Sequence, residues 1–216
     1  MSAADSSRAL PRGPHGLSRE EVEVSQRARL LQAATDAVAE LGYVKTTVAD
    51  ILGRAGVSRA TFYQLFRDKE DCFQAAYRAN ADLVADVMAA ELDQVRASGE
   101  RDPLARLDRV LGVYLSALRS APALARVFLV EVYAAGPAAI EQRRASLEGF
   151  ADIVAETHRG ESGVLGTKAS QRFAAQAFVG VVSSLVTNAV GVGDTDGLLD
   201  LRKPLMRLAA QITKKL

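Results

Sequence analysis

Between Thr47 and Lys69 the chain gathers hydroxyl, guanidinium, phenol, amide and ammonium groups: Thr47, Ser58, Arg59, Thr61, Tyr63, Gln64 and Lys69. Such groups hydrogen-bond to phosphate oxygens and to the edges of bases. The residue types that other chemistry needs are scarce. The 216 residues include two histidines, His15 and His158, and a single cysteine, Cys72. No Glu-x-x-His or His-x-x-x-His pair offers a metal site. No phosphate-cradling glycine loop and no Gly-x-Ser-x-Gly elbow occurs. The sequence therefore points away from an enzyme and from a metal or cofactor, and towards recognition of double-stranded DNA.

The elements that must position these groups are short helices with legible ends. Thr47-x-x-Asp50 is a capping box that opens a first helix. Val48, Ile51, Leu52 and Ala55 then fall on one face. Gly56 stands where a left-handed residue ends that helix. Val57 plugs the turn, and Ser58 caps the next helix. In that helix Phe62 and Phe66 recur at i, i+4 and point inward, leaving Arg59, Ala60, Tyr63 and Gln64 outside. Asp68-x-x-Asp71 caps a third, longer helix with Lys69 in its first turn. A lysine there is at odds with the electropositive helix start, and a bound phosphate would resolve the conflict. Two short helices about a tight glycine turn read as a helix-turn-helix, or as an αα-corner packed in a core.

Net charge is +1, so bulk charge gives no case for nucleic acid. The local charge does: Lys45, Arg54, Arg59, Arg67 and Lys69 surround the motif, opposed by Asp50 and Asp68 before Glu70. One cysteine excludes an internal disulfide framework and suits a reducing compartment. The first residues lack the apolar core of a secretory leader, and no apolar run reads as membrane-spanning, so a soluble cytoplasmic protein is expected.

Leu41-Gly42-Tyr43, Thr46-Thr47-Val48-x-x-Ile51, Ala55-Gly56-Val57-Ser58, Thr61-Phe62-Tyr63-x-x-Phe66 and Lys69-Glu70-x-x-Phe73 resemble the N-terminal domain of TetR-type (TetR/AcrR) transcriptional regulators. The similarity runs from about Val24 to Val84. It implies that Thr47 contacts a phosphate and that Ser58, Arg59, Ala60 and Thr61 face the major groove. Arg59 would read a guanine through its fork, and Ala60 or the Thr61 methyl would touch a thymine. Tyr63 and Lys69 would hold phosphates, with Gln64 a weaker contact. Leu65 departs from the polar or aromatic residue common in relatives.

An all-α fold of about nine helices follows. Residues 1–23 form a basic arm, 24–84 the DNA-binding head with its motif at about 47–66, and 85–216 a ligand-binding and dimerisation bundle. The arm, with Arg8 and Arg12, reads as a solvated tail or as a segment that reaches DNA. Ser18-x-x-Glu21 opens a helical turn before a main helix from Val24 to Leu41, whose stripe is Leu31, Ala34, Val38 and Leu41 with Leu30 and Ala37 beside it. Gly42 ends it, with Tyr43 placed to pack there. The helix from Lys69 runs to about Ala97, lined by Phe73, Ala76, Tyr77, Leu83, Val84 and Val87, and is a candidate lever between the two parts.

Further helices are divided at Asp102-Pro103, Ala121-Pro122 and Gly136-Pro137. One runs from about Ala138 to His158, a loop spans Gly160 to Gly166, and Thr167 caps a helix to about Val190. The last covers about Thr195 to Lys214, with Lys214 and Lys215 suited to its C-terminal dipole. Phe178 to Val190 is rich in Val, Ser and Thr, but no other strand exists to pair with it, so it reads as helix. Gly180, Ser183 and Ser184 serve either internal packing or, with Leu205 and Leu208 of the last helix, a dimer face. The resemblance favours the dimer, since relatives pair through their last two helices.

The resemblance also implies a small-molecule pocket, with Tyr114, Phe128, Glu131, Tyr133 and Phe150 as candidate lining. Glu131 lies in so apolar a run that it must pair, reach water or take up a proton. The expected function is a ligand-responsive repressor that binds a palindromic operator as a homodimer. The alternative is a ligand-binding helical protein or scaffold without sequence-specific DNA binding.

Overall fold

The computed structural model describes residues 18–158 and 168–215. The expected basic arm up to Leu17, His15, the loop at Gly160–Gly166 and the Thr167 cap lie outside them, as do the side chains of Lys214 and Lys215. Among the described residues the elements are α-helices and two 3-10 turns, with no strand. The helices are α1 (Arg19–Leu41), α2 (Val48–Ala55), α3 (Arg59–Leu65), α4 (Lys69–Ala97), α5 (Pro103–Ser120), α6 (Pro122–Leu129), α7 (Pro137–Thr157), α8 (Lys168–Gly191) and α9 (Arg202–Lys215). The chain forms two compact units that meet in sequence at Tyr77 and Arg78, and α4 runs on through that boundary.

The first unit is built on caps. α1 starts at Arg19, five residues earlier than its apolar stripe suggests, because the Ser18/Glu21 capping box opens the main helix itself. Its buried face is Leu30, Ala33, Ala34, Ala37 and Val38, while Leu31 and Leu41 are only half-buried. Gly42 ends it at φ 80°, and the Tyr43 ring meets Phe73 edge-on at 4.9 Å. Leu30, Ile51, Phe62, Phe66, Cys72 and Ala76 join helices α1 to α4 in one apolar cluster. Burying the leucine, isoleucine and phenylalanine side chains contributes about 1.5–3 kcal/mol each.

In the second unit Asp102 caps α5, with Pro103 at its first position. The helix expected to run from Pro122 to Gly136 instead stops at Leu129, and a 3-10 turn, Glu131–Ala134, follows. Another 3-10 turn, Asp196–Leu201, takes the first part of the helix expected from Thr195. The second half of α4 buries Ala81, Val84, Met88, Leu92 and Val95; Leu83, counted in its lining from sequence, is 56% exposed. Arg202 on α9 grips Asp108 on α5 through two bonds of 2.8 Å, its guanidinium lying against Gly112, where no side chain intervenes.

Phe178–Val190 is helical, inside α8. Contrary to the expectation that no segment is long and apolar enough for a membrane, Ala169–Gly191 meets that measure with a mean hydropathy of 1.6. Its inward side packs on α6 and α7, and its outward side keeps Phe173, Val181 and Leu185 exposed.

Candidate nucleic-acid interface

α2 and α3 are held by complementary ends. The Asp50 N–H donates to Thr47 Oγ1 at 3.3 Å, and the Asp50 carboxylate accepts from the Thr47 N–H at 2.8 Å and hydroxyl at 2.6 Å. These bonds, chiefly the one from the Thr47 hydroxyl, hold the Asp50 carboxyl below its usual range. Gly56 adopts the left-handed conformation at φ 61°, ψ 37° and ends α2. Val57 is buried in the turn, and Ser58 accepts from the Thr61 N–H at 3.1 Å. Arg29 on α1 donates to Ala55 O at 3.0 Å, capping the end of α2 from a neighbouring helix. No signal along the chain marks Arg29 for this role, because nothing local ties it to a residue 26 positions away.

Phe62 and Phe66 are buried, and α3 turns its other side to solvent. Arg59, Ala60, Tyr63 and Gln64 are all exposed, with Thr61 half-buried. The Tyr63 ring stands edge-on to Phe62 at 5.3 Å, which fixes its direction. Arg54 is neutralised by Glu40 at 2.6 Å, so it drops out of the local cationic rim. Lys45, Arg59 and Arg67 remain exposed. The Arg67 guanidinium makes a loose contact with Asp71, at 3.6 Å.

Two expected phosphate ligands have internal partners. The Thr47 hydroxyl donates to Asp50, so a phosphate must compete with a carboxylate for it. The Lys69 ammonium donates to Tyr43 O at 2.8 Å and lies 4.3 Å from the centre of the Tyr43 ring. This contact resolves the oddity of a lysine in the first turn without a phosphate. Two ammonium donors remain beyond that bond. The α4 cap also departs from a reciprocal box: Asp68 accepts from the Asp71 N–H, but the Asp71 carboxylate accepts from the Arg67 N–H.

In the second unit the candidate pocket residues separate. Tyr114 and Phe150 line an apolar cavity of about 30 Å³ together with Met88, Leu147, Val182 and Ser183. Phe128 is buried against Phe150, with ring centres 5.9 Å apart, and is not in that lining. Glu131 is buried and pairs with Arg126 at 3.1 Å, which answers how a carboxylate sits in that apolar run. Tyr133 is 54% exposed, and its hydroxyl accepts from Arg143 Nε.

The candidate dimer residues separate too. Gly180 and Ser184 face outward on α8. Ser183 is buried and accepts from Arg143, and Leu205 is 2% exposed, so both serve the chain's own interior; Leu208 is half-buried. The split follows from helical spacing, since Ser183 and Ser184 lie about 100° apart around the axis. His158 is buried beside Thr157, the two side chains 2.9 Å apart.

Residues 30–76 match the family model for bacterial regulatory proteins of the tetR family. The HTH-type transcriptional regulator BetI of Klebsiella pneumoniae is 31% identical over 87 residues, which are 40% of this chain and 43% of that protein. BetI of Escherichia coli is equally similar over the same share. The aligned part thus spans less than half the length of these curated relatives. Among solved structures, the fatty acid degradation regulator FadR from Bacillus halodurans superposes with a TM-score of 0.73 at 23% identity, covering 88% of this chain and 98% of that one. The transcriptional regulator FadR from Bacillus subtilis, in complex with stearoyl-CoA, gives 0.74 at 21% identity over the same shares. At these identities the two structures establish a shared fold.

Proposed function

From the likeness of the N-terminal head to bacterial regulators of the tetR family, we propose that this chain is a TetR-type regulator that binds a palindromic operator as a homodimer and represses until a small molecule releases it. The observation that carries the reading is the solvent face of α3. The Arg59 and Gln64 side chains are exposed there and make no hydrogen bond or ion pair among the described residues. An exposed guanidinium at the start of a seven-residue helix suits a guanine edge in the major groove. Ser58, Ala60 and Thr61 share that groove. Tyr63, Lys45 and Arg67 reach flanking phosphates, joined by the remaining donors of Lys69 and, where it outcompetes Asp50, by the Thr47 hydroxyl. One such helix makes few base contacts, so two heads at a helical-turn spacing of about 34–36 Å, or a multiple of it, are needed.

The outward face of α8, with Gly180 and Ser184 between Phe173, Val181 and Leu185, supports a helix-to-helix dimer contact. The apolar cavity supports an effector with an apolar part, as does the stearoyl-CoA of the Bacillus subtilis neighbour. The effector releases DNA only by its differential affinity for two states of the dimer. This chemistry belongs in the cytoplasm, where the operator is.

An electrophoretic shift with the chain's own upstream DNA, backed by selection from random duplexes, tests the reading. Arg59→Ala is expected to relax preference at one base pair by about 1–3 kcal/mol. Lys69→Met is expected to weaken all sequences alike and to lower the salt slope by about one. It also lowers the melting temperature, because the bond to Tyr43 goes with it. No shift and no selected site even in dilute buffer defeats the reading and leaves a ligand-binding helical protein without sequence-specific DNA binding.

A further inference from the structure

Arg143 on α7 is 4% exposed, and among the described residues no carboxylate lies within ion-pair distance of it. Its partners are neutral: Nε–H donates to Tyr133 Oη at 3.0 Å, Nη1–H to Phe128 O at 3.2 Å and Nη2–H to Ser183 Oγ at 2.7 Å. Of the five guanidinium N–H groups, three are thereby used. The Tyr133 ring at 5.2 Å and the carbonyl end of α6 ease the burial of this charge without neutralising it. A buried cation with no counter-ion is costly, and among the described residues no carboxylate stands at ion-pair distance to supply one.

The cavity supplies the place for one. Arg143, Leu147, Phe150 and Val154 follow one another at i, i+4, i+7 and i+11 on α7, and the last three line the apolar cavity. Ser183, which accepts from Arg143, lines it as well. The guanidinium thus stands at one end of an apolar slot, behind a serine hydroxyl that can turn to donate to an anion. We propose that this unit binds an amphiphilic carboxylate, its head on Arg143 and Ser183 and its tail among Leu107, Leu111, Phe150 and Phe178. At about 30 Å³ the slot has room for about one water, so the tail must part its walls. That requirement gives the ligand different affinities for the closed and opened states. The proposal rests on the effector-binding reading of this unit and names the class of effector.

The test uses the full chain without DNA, so failure of operator binding leaves its result untouched. Calorimetric titrations compare decanoate with decanol, and hexanoate with hexanol, the acids below their micellar concentrations and the alcohols below their solubility limits. At a matched chain length the acid is expected to bind at least tenfold more tightly than the alcohol. In Arg143→Met that ratio falls towards one while the alcohol still binds, and Arg143→Gln serves if the methionine variant does not fold. Equal affinity of acid and alcohol in the wild-type protein, an acid preference that survives in the variant, or no binding of either probe overturns the proposal.

Discussion

Cys72 lies wholly within the apolar cluster of the head, and burial, aided by the neighbouring Asp71 carboxylate, pushes its thiol up to about 12. A thiol so placed presents neither a thiolate nor access to a reagent. Alkylation by iodoacetamide at pH 8 is expected to be negligible in the native protein and rapid in denaturant; fast labelling under native conditions contradicts this packing. The sign of the pH effect follows from the same shift. The folded state holds the proton more tightly than the unfolded chain, so this contribution to stability is complete below the unfolded thiol's ordinary value. It is lost as pH rises from about 8.5 towards 12. Cys72→Ala should flatten that alkaline limb of a denaturation series. At the acid side Asp50 works in the opposite sense. Its carboxyl is held low by Thr47, so its contribution is present above the ordinary carboxyl range and fades as pH falls through the folded value.

At the scale of elements, the two glycines of the motif have opposite duties. Gly56 sits at φ 61°, where a side chain strains the backbone whatever the space around it. Gly53 is in the middle of α2, exposed, with nothing within 4 Å of where a Cβ would sit. Gly56→Ala is therefore expected to destabilise the head by about 1–2 kcal/mol. Gly53→Ala is expected to stabilise it by up to about 1 kcal/mol. Urea denaturation of both variants checks the pair, and a neutral Gly56→Ala would mean that the turn does not need its left-handed residue. These helices were legible because their signals are local: a cap and its partner lie three residues apart, and a stripe repeats every three or four. The break of α6 at Leu129 was not legible. No proline or glycine marks it, and Glu131 turns to Arg126 from a 3-10 segment instead of from a continuing helix.

At the scale of the molecule, α8 presents an apolar outward face with Phe173, Val181 and Leu185 exposed among the described residues. A second copy of the chain is the expected cover. Val181→Glu, placed at 39% exposure on that face, should convert the proposed dimer to monomer in sedimentation and weaken the proposed operator binding steeply, while the circular dichroism stays helical. A variant that remains dimeric moves the interface elsewhere.

What the sequence determined by itself was the head: its caps, its glycine turn, its buried phenylalanines and its outward Arg59, Tyr63 and Gln64. Each of these depends on neighbours within about one or two helical turns, and helical spacing alone says which side a residue takes. Tertiary structure decided the rest. It gave Lys69 the Tyr43 carbonyl, turned Ser183 and Leu205 inward and left Arg143 buried among neutral oxygens from three separate segments. Those outcomes depend on which faces of distant helices meet, and the pattern along any single helix does not contain that information.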